Sequence, residues 1–463
     1  MNHQEQKRRA PGSFRDPAGF VYTRGGAIYR QINDGGREAF EMLSRSGCYG
    51  ALIRDELLIP HEAVDRRFAW SDDAYAVIQP MRVPMVSYPY EWCFSQLKDA
   101  ALATLRVQRC ALSHGMSLRD ASAYNIQFIA GKPVFIDTLS FERYHPGVPW
   151  VAYRQFCQHF LAPLALMSMR DIRLSQLLRV YLDGIPLDLA ARLLPLRAKI
   201  RPGLFFNLLM HARAQRRYAG GRDAVAVARR QFSERAFCGL LDGLEMTIGH
   251  LRWAPVGTEW AEYDIERSYD RTAFVQKRAL VEQFLVAFHP STVWDLGANT
   301  GTFSRIASAH GAQTTAFDID PAAVERNYLD VRVRGEKRIL PLLLDLTNPS
   351  PGTGWAHAER ESFIARGPAD CVLALALIHH LAIGNNVPLG DIAEFLHRIA
   401  RALIIEFVSK EDPRVQQLLR SRTDVFPSYT QESFERAFDA HFVTERIERI
   451  GTTPRTLYAM CAR

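Results

Sequence analysis

In the second half of the chain, short apolar runs alternate with longer segments whose apolar residues recur at helical spacing. The strand-like runs lie near residues 292–296, 312–317, 338–344, 370–377, 401–408, 441–447 and 455–461. Helical patterns separate the first five runs, and another precedes the sixth. Repeated strand–helix units require parallel strands, whereas strands joined without a helix pair antiparallel. The pattern therefore predicts an α/β fold with a doubly wound, mostly parallel, seven-stranded sheet that binds ligands at its strands' carboxyl ends.

The first half of the chain mixes strand and helix patterns. Residues 20–32 alternate around Gly25 and Gly26, which is typical of a β-hairpin because both turn positions need positive φ. The predicted elements that follow are a helix over 38–44, strands near 57–59 and 74–78, a helix over 90–113 and several helices from about 150 to 249. The predicted divisions are a flexible arm over 1–17, an α+β domain over 18–250, a connecting helical segment over 251–290 and the α/β domain over 291–463.

Length and cysteine usage restrict the class of protein. A chain of 463 residues is too long for one ordinary core, so several domains are expected. The cysteines are scattered at 48, 93, 110, 157, 238, 371 and 461, never as Cys-x-x-Cys, so the spacing indicates neither a disulfide framework nor a zinc site. The N-terminus lacks the apolar core of a signal peptide, and no apolar run is long enough to span a membrane. These features predict a cytoplasmic protein.

The charge balance permits anionic partners without requiring one. The formal net charge is +7, and basic residues are dense between residues 192 and 230. These include Arg197, Lys199, Arg201, Arg213, Arg216 and Arg217. A nucleic-acid or anionic membrane surface is one interpretation, but the charges show no repeat and no regular interleaving with aromatic residues, so a solvated helix face is favoured and nucleic acid is not expected. The sequence does not indicate an oligomeric state.

The stretch over 293–303 carries the most informative chemistry. Apolar residues lead into Asp295, and Gly297 and Gly301 flank a polar turn before a helical pattern begins. Glycine allows the backbone to turn sharply and lets a ligand lie against it. A second apolar run ends in Asp318, at about the distance at which a βαβ nucleotide site places its ribose-binding carboxylate.

This motif resembles motif I of the class I S-adenosylmethionine (SAM)-dependent methyltransferases. A dinucleotide fingerprint would place glycine where this chain has Asn299, and a carboxylate such as Asp295 suits a sulfonium cation better than a pyrophosphate. The resemblance implies a Rossmann-like fold, SAM as cofactor and no metal in this domain. It also implies that the cofactor is bound by Asp295, Gly297, Ala298, Asn299, Gly301, Asp318, Ile319, Asp345, Leu346 and Leu377.

Three of these assignments have alternatives. Asp318 is expected to bind the ribose hydroxyls because it directly ends the apolar run, and Asp320 competes for that role. Asp345 is expected to meet the adenine amine, or else to cap a helix before Thr347. The helix that precedes the first strand carries Tyr269, Asp270, Phe274 and Lys277 and either covers the cofactor or only packs against the sheet.

The segment after the fourth strand supplies candidate catalytic residues. The methyltransferase resemblance places substrate-facing residues here, and His379 and His380 offer a general base with a pKa near neutrality. Alternatively, one histidine caps the strand and the other packs. A base adds roughly 10²–10⁴-fold, whereas orientation alone supplies roughly 7–11 kcal/mol, so methyl transfer does not depend on a base. Further candidates for the substrate mouth are Asn385, Asn386, Glu406 and Tyr429.

Residues 118–125 and 133–137 resemble the catalytic and metal-binding loops of protein kinases and aminoglycoside phosphotransferases. By this resemblance Asp120 orients an acceptor hydroxyl, Asn125 and Asp137 hold Mg²⁺ with ATP, and residues 90–250 form a large lobe. The chain departs from the family at Leu118, where histidine is usual, and has no lysine between Lys7 and Lys98 to anchor ATP. A kinase-like scaffold without phosphotransfer is favoured; an active kinase and an unrelated Asp/Asn-rich turn remain open.

Together these features predict a SAM-dependent methyltransferase that acts on an oxygen or nitrogen of a small molecule, glycan or peptide. The kinase-like domain is expected to shape substrate access. One alternative is a bifunctional kinase–methyltransferase that phosphorylates through Asp120, Asn125 and Asp137. Another is an N-terminal module that senses nucleotide or docks a partner without catalysis. The acceptor is not encoded in a readable motif, because acceptor choice depends on loop geometry.

Overall fold

A computed structural model describes residues 7–210, 233–255, 271–420 and 424–463, without the side chains of residues 209 and 210. The chain forms two compact units: unit 1 comprises Met1–Trp253 and Thr353–Arg360, and unit 2 comprises Ala254–Gly352 and Glu361–Arg463. Some residues singled out from the sequence lie outside the described ranges, namely Arg213, Arg216, Arg217, Tyr269 and Asp270.

Unit 1 begins with a five-stranded antiparallel sheet in the order β1-β2-β3-β5-β4. Its strands are β1 (Arg8–Arg9), β2 (Gly19–Arg24), β3 (Ala27–Asn33), β4 (His61–Val64) and β5 (Ala74–Pro80). The predicted hairpin is confirmed: β2 pairs with β3 up to Arg24 and Ala27, and both turn glycines have positive φ. Alternating burial along β2 places Phe20 and Tyr22 in an apolar cluster with Tyr29.

Two features of this region differ from the prediction. The arm predicted as flexible is bound from residue 8, because β1 pairs with β2 and Arg15 forms two hydrogen bonds of 2.7 and 2.8 Å with Glu359. The apolar run at 57–59 does not join the sheet. Instead Ile59 N–H donates to the carbonyl oxygen of Phe135 at 2.8 Å, and the sheet takes the more polar β4 as its edge strand.

The rest of unit 1 is mainly helical. Its helices are α1 (Arg37–Arg45), α2 (Cys48–Arg54), α3 (Phe94–Ser113), α4 (Tyr153–Phe156), α5 (Ala162–Met169), α6 (Leu177–Val180), α7 (Leu187–Leu193), α8 (Pro202–Leu204) and α9 (Glu234–His250), with π-helical turns over Cys157–Leu161 and Phe205–Met210. Two short antiparallel pairs follow α3: β6 (Met116–Leu118) with β9 (Phe141–Arg143), and β7 (Ile126–Ile129) with β8 (Lys132–Phe135). The loops between these strands carry Asp120, Asn125 and Asp137.

Unit 2 contains a mixed seven-stranded sheet, so the predicted α/β fold of this region is confirmed. Its strands are β10 (Thr292–Leu296), β11 (Gln313–Asp318), β12 (Ile339–Leu343), β13 (Ala369–Ala374), β14 (Ala400–Val408), β15 (Phe442–Arg449) and β16 (Arg455–Ala462). The order is β12-β11-β10-β13-β14-β16-β15. The first five strands are parallel and β16 is antiparallel to both of its neighbours.

Helices complete unit 2 and bury the sheet. They are α10 (Arg271–Phe288), α11 (Thr302–Ala309), α12 (Pro321–Arg334), α13 (Leu389–Ile399), α14 (Pro413–Leu419) and α15 (Gln431–Asp439). One core cluster joins α10, through Val281 and Phe284, to the centre of the sheet at Leu373 and Ile404. From β10 the chain continues outward through β11 to β12 and then returns to form β13 on the other side of β10. The strand order therefore reverses between β10 and β13. Their carboxyl ends therefore flank the crevice where such sheets bind ligands.

No helix within the described ranges has both the length and the apolar character needed to cross a membrane.

Candidate functional site

A pocket of about 280 Å³ opens at the carboxyl ends of the parallel strands of unit 2. Its wall comes from the segments that follow β10, β11, β12 and β13, together with Lys277 from α10. The residues predicted from the sequence to bind the cofactor or to act in catalysis that line it are Asp295, Gly297, Ala298, Asn299, Asp318, Ile319, Asp345, Leu346, Leu377 and His380. Residues far apart in sequence converge here because parallel strands deliver their ends to one edge.

The turn after β10 forms the floor of this pocket. Gly297 and Asn299 have φ of 75° and 49°, and the N–H groups of Gly297 and Ala298 both donate to the carbonyl oxygen of Phe317 at 2.9 Å. Gly301 is required for a different reason. Its φ is 82°, and a Cβ there would lie 2.6 Å from the Asn327 side chain. Gly301 therefore permits helix packing rather than ligand approach, and it is not part of the pocket wall.

Asp295 is the penultimate residue of β10 and carries a buried carboxylate. Its Oδ2 accepts a 2.6 Å hydrogen bond from the hydroxyl of Ser304, and the residue is only 2% exposed. Burial raises the pKa of Asp295 to about 6, and nearby Asp318 adds to this shift, while the Ser304 hydrogen bond and Lys277 oppose it. A cationic ligand in the pocket would stabilise the ionised form of this carboxylate.

Asp318 ends β11 and is held by backbone donors. Asn299 N–H donates to Oδ2 at 2.7 Å and Asp320 N–H donates to Oδ1 at 2.9 Å. Burial raises the pKa of Asp318 to about 6 in spite of these hydrogen bonds. Each carboxylate oxygen has a second lone pair, so Asp318 can still accept hydrogen bonds from two adjacent ligand hydroxyls.

Asp320 has a separate task, although it lies two residues away. Its Oδ1 accepts a 2.7 Å hydrogen bond from Ala322 N–H and so caps α12, and the residue is not on the pocket wall. Asp345 lines the pocket, and its Oδ1 accepts from the N–H and hydroxyl of Thr347 at 2.8 and 2.6 Å. The residues after Asp345 form a turn and no helix begins there, so the helix-cap alternative is wrong. Ile319 is 57% exposed and also lines the pocket.

The loop after β13 separates the two candidate histidines. His380 lines the pocket, and burial followed by the nearby Arg455 charge lowers its pKa, so the imidazole is neutral at pH 7. His379 is 2% exposed, does not line the pocket and has a pKa held well below its ordinary value by burial. The pair expected from the sequence thus reduces to His380 as the histidine able to reach a ligand.

A chain of buried charges lies beside the pocket. The ammonium of Lys277 is 2.6 Å from Glu406 Oε2, which also accepts the N–H of Ala376 at 2.8 Å. Glu406 Oε1 lies 3.3 Å from Arg455, whose Nε lies 2.7 Å from Asp412. All four charged side chains are almost fully buried.

Sequence reasoning missed the roles of Arg455 and Asp412, and it assigned Glu406 to the substrate mouth. A signal was present, because Glu406 is the one acidic residue in a nine-residue strand that is otherwise almost entirely buried and apolar. A lone charge in such a strand demands buried partners. The partners themselves could not be identified from local pattern, since Lys277 lies 129 residues away.

Of the other residues proposed for the substrate mouth, one lines the pocket and two do not. Asn385 lines the pocket and donates its Nδ2 hydrogen to the carbonyl oxygen of His380 at 2.9 Å. Tyr429 is 4% exposed, and its hydroxyl donates to the carbonyl oxygen of Val408 at 2.9 Å, which is a packing role. Asn386 has a φ of 59° and is not on the pocket wall.

In unit 1 the residues of the kinase-like motif also come together. Asn125 donates to Ser140 Oγ at 3.3 Å, and Ser140 donates to Asp137 at 2.7 Å. The Arg30 guanidinium lies 2.6 Å from Asp137 Oδ1. Although burial alone would raise it, the pKa of Asp137 is lowered by Arg30, the Ser140 hydroxyl and a backbone N–H.

Asp120 differs from Asp137 in its electrostatic environment. Burial raises the pKa of Asp120, and the charge of Asp137 adds to the shift, while hydrogen bonds from Ser122, Gln155 and Asn125 oppose it. Asn125 and Asp137, the expected Mg²⁺ ligands, lie beside the guanidinium of Arg30, which already forms an ion pair with Asp137. A guanidinium this close repels a divalent ion at the same carboxylate.

Comparison with known proteins gives a family for the chain. The family model described as "Methyltransferase domain" matches residues 269–441. The nodulation protein NoeA of Rhizobium meliloti (strain 1021) is 36% identical over 457 residues, covering 97% of this chain and 95% of NoeA.

Solved structures also resemble part of the chain. The magnesium protoporphyrin IX methyltransferase ChlM of Synechocystis PCC 6803 with bound SAH is 18% identical, covers 45% of this chain and 91% of its own, and has a TM-score of 0.31. The N-methyltransferase NodS of Bradyrhizobium japonicum WM9 is 11% identical, covers 42% and 98%, and has a TM-score of 0.32.

Proposed function

We propose, from the premise that this chain belongs to the family of the nodulation protein NoeA and is a SAM-dependent methyltransferase, that it methylates an oxygen or nitrogen atom of a small molecule, glycan or peptide. The observation that carries the proposal is the convergence of Asp295, Asp318 and His380 on one pocket. The carboxylates suit the cofactor, and the neutral imidazole suits an acceptor that must lose a proton.

The residues present fit SAM. When bound, SAM supplies an electrophilic methyl group on a sulfonium. The pocket is close to the roughly 300 Å³ at which ligand sites begin. Asp318 has free lone pairs for the ribose hydroxyls, Asp295 places negative charge near a cation, and Ile319, Leu346 and Leu377 offer apolar surface to an adenine ring.

His380 is the proposed general base. Its lowered pKa keeps the imidazole unprotonated at neutral pH, the state that accepts a proton from a hydroxyl or ammonium acceptor. Asn385 holds the carbonyl of His380 and so stabilises the loop that carries it. His379 cannot take this role because its ring is buried beneath the loop.

For residues 18–250 we propose a kinase-like scaffold that shapes substrate access to the methyltransferase domain over residues 291–463. The β6–β9 and β7–β8 pairs around the loops of Asp120, Asn125 and Asp137 support a kinase-like fold. The Arg30–Asp137 ion pair opposes phosphotransfer, because the carboxylate that would bind Mg²⁺ is already neutralised. This favours the scaffold over the bifunctional kinase–methyltransferase.

The test is to incubate purified protein with cell extract and SAM that carries a deuterated methyl group, and to search by mass spectrometry for a species that gains the label. We expect a labelled product with wild type and none with Asp318→Ala. A labelled product formed equally by Asp318→Ala, or no labelled product under conditions where SAM is bound, would contradict the proposed transfer.

A further inference from the structure

Cys48 meets Cys110 and His114, which are four residues apart on another element, at a place in unit 1 away from the sites described above. The Sγ atoms of Cys48 and Cys110 and a ring nitrogen of His114 all lie within 4.8 Å of one another. Cys48 is the first residue of α2, whereas Cys110 and His114 lie in and directly after the last turn of α3. Cys48 is fully buried, and the other two are partly accessible.

The distances are close to those of a tetrahedral zinc site. With Zn–S near 2.3 Å and Zn–N near 2.0–2.1 Å, ligand atoms in a tetrahedron are about 3.5–3.8 Å apart. The three atoms of this cluster would need to approach one another by at most about 1.3 Å. The side chains of Cys110 and His114 are partly exposed and can make that adjustment without repacking the core.

The hydrogen bonding of His114 suits a metal ligand. Its Nδ1 lies 2.8 Å from the carbonyl oxygen of Cys110, 3.2 Å from the Ser113 hydroxyl and 3.9 Å from the Cys110 Sγ. Because a carbonyl only accepts, the tautomer that carries its proton on Nδ1 satisfies the shortest of these contacts, and it is the tautomer that we propose for metal binding. The lone pair is then on Nε2. The adjacent Cδ2 faces the start of α2, where a Cβ on Gly47 would lie 3.8 Å away. A carbonyl that holds the other ring nitrogen is the usual outer partner of a metal-bound histidine.

The two thiols already behave as a pair. A hydrogen bond from the Cys48 thiol lowers the pKa of Cys110 to about 7, and nearby His114 contributes to this, while burial and Asp55 oppose it. The same hydrogen bond and burial raise the pKa of Cys48. The thiolate is the form of cysteine that binds metal, so a metal ion would take the place of this thiol–thiol hydrogen bond.

We propose that Cys48, Cys110 and His114 bind a Zn²⁺ ion with water as the fourth ligand. Binding replaces the thiol protons of Cys48 and Cys110 with the metal and releases them to solvent, so that two thiolates and a neutral imidazole surround Zn²⁺ with no net charge. The ion would cross-link the first turn of α2 to the last turn of α3. Neither the family model, which begins at residue 269, nor the methyltransferase pocket includes these residues.

The test uses the full-length protein, stripped with a chelator and kept reduced, and titrates it with Co²⁺ as a spectroscopic substitute for Zn²⁺. We expect one equivalent of Co²⁺ to produce thiolate-to-cobalt charge-transfer and tetrahedral d–d absorption, which Zn²⁺ then displaces. Affinity should rise with pH, because binding releases thiol protons to solvent. Cys110→Ser should abolish the charge-transfer band, and His114→Gln should weaken Co²⁺ binding by at least the roughly 10–100-fold typical of an outer partner.

Cys238→Ser is the matched control, since Cys238 is a partly exposed thiol on α9 outside the cluster, and it should bind Co²⁺ like wild type. Circular dichroism must show that each variant is folded. X-ray absorption of the zinc-loaded wild type should show two sulfur neighbours and requires no variant. The proposal is overturned if Co²⁺ gives no thiolate band with wild type, if the band survives in Cys110→Ser, or if peptide mass spectrometry finds a Cys48–Cys110 disulfide in reduced preparations.

Discussion

Two carboxylates two residues apart illustrate how position decides chemistry at the residue scale. Asp318 and Asp320 flank Ile319 at the end of β11, and both are buried. Asp318 lines the pocket, while Asp320 caps α12 through Ala322 N–H. Asp318 can therefore bind a ligand, whereas Asp320 stabilises the start of a helix.

Substituting each in turn separates ligand binding from capping. Asp318→Ala should weaken SAM binding at least tenfold, or about 1.4 kcal/mol, because the hydroxyl acceptor is lost. Asp320→Asn should leave SAM affinity within about twofold, since asparagine caps helices as well as aspartate. Isothermal titration calorimetry measures both. Equal losses in the two variants would mean that the effect is structural.

Asp295 predicts a pH-dependent stability. Its folded pKa of about 6 lies above the ordinary value of 3.8, so its contribution to the free energy of unfolding is complete below about pH 4 and is lost as pH rises through 6. Asp295→Asn keeps an acceptor for the Ser304 hydroxyl but cannot ionise. The variant should equal wild type near pH 4 and exceed it by up to about 3 kcal/mol above pH 7.

Denaturant unfolding of both proteins without SAM, followed at several pH values, measures this difference. A gap between the two proteins that stays constant from pH 4 to 8 would show that the carboxylate does not titrate in this range.

His380→Gln should lower kcat by roughly 10²–10⁴-fold with SAM affinity nearly unchanged, because the base is lost and the cofactor contacts remain. Wild-type kcat should stay constant from pH 8 to below pH 6.5, the ordinary pKa of an imidazole, since the pKa of His380 is lowered. Kinetics on the labelled product measure both. His397→Gln, a partly buried histidine on α13, is the control. A full rate in His380→Gln would remove the base from the proposal.

At the scale of elements, one carboxylate joins three parts of unit 2. Glu406 on β14 binds Lys277 on α10, and it also binds Arg455 on β16 and the N–H of Ala376 after β13. Ala376 has a φ of 51°, which is strained for a residue with a Cβ and must be stabilised by its surroundings. The N–H bond to Glu406 is one such restraint, and it fixes the loop that presents Leu377 and His380 to the pocket.

A double-mutant cycle tests this network. Glu406→Gln and Lys277→Met should each reduce the free energy of unfolding of unit 2 by about 3–5 kcal/mol, because each leaves a buried charge without its main counterion. The double variant should cost clearly less than the sum, since both charges are removed together. Denaturant unfolding measures these free energies. The unfolding transition of unit 2 is recognised as the one that moves to higher denaturant when SAM is bound.

Glu448→Gln serves as the surface control. It breaks an exposed 3.0 Å ion pair with Arg446 and should cost at most about 1 kcal/mol. Additive losses in Glu406→Gln and Lys277→Met would show that the two charges act independently.

At the scale of the whole molecule, the candidate site of each unit contains buried acidic residues, and the two sites differ in what neutralises them. In unit 2, Asp295 and Asp318 face a pocket and have raised pKa values, so a cationic ligand would stabilise them. In unit 1, Asp137 is already paired with Arg30. The carboxylates of unit 2 can therefore be stabilised by a bound cation, whereas the carboxylate of Asp137 is already neutralised by a side chain of the protein.

The second arrangement predicts that Mg²⁺ does not promote ATP binding. Wild type and Asp137→Asn should give the same result when titrated with ATP in the presence of Mg²⁺ or of a chelator, because Arg30 excludes the metal from Asp137. SAM affinity in the same preparations controls for folding. Metal-dependent ATP binding that disappears in Asp137→Asn, followed by transfer of labelled phosphate, would instead support the bifunctional enzyme.

Features that depend on neighbours in sequence were predictable. Alternation between period-2 and helical spacing located the seven strands of unit 2 to within a few residues, and the Gly25–Gly26 hairpin followed from backbone sterics alone. The same local logic marked Asp295 and Asp318 as strand-end carboxylates. A repeated strand–helix chain can close its parallel sheet in few ways, so the edge at which these residues meet was also determined.

Tertiary structure decided everything that depends on side chains meeting across the fold. It separated His380 from His379, assigned Gly301 to packing against Asn327, and paired Lys277 with Glu406. It also brought together Cys48, Cys110 and His114, which their spacing had not indicated as a metal site. The physical reason is that local pattern reports which face of an element is apolar. Which polar groups share a buried space depends on how the packed elements satisfy one another's charges and hydrogen bonds, and that is a property of the whole chain.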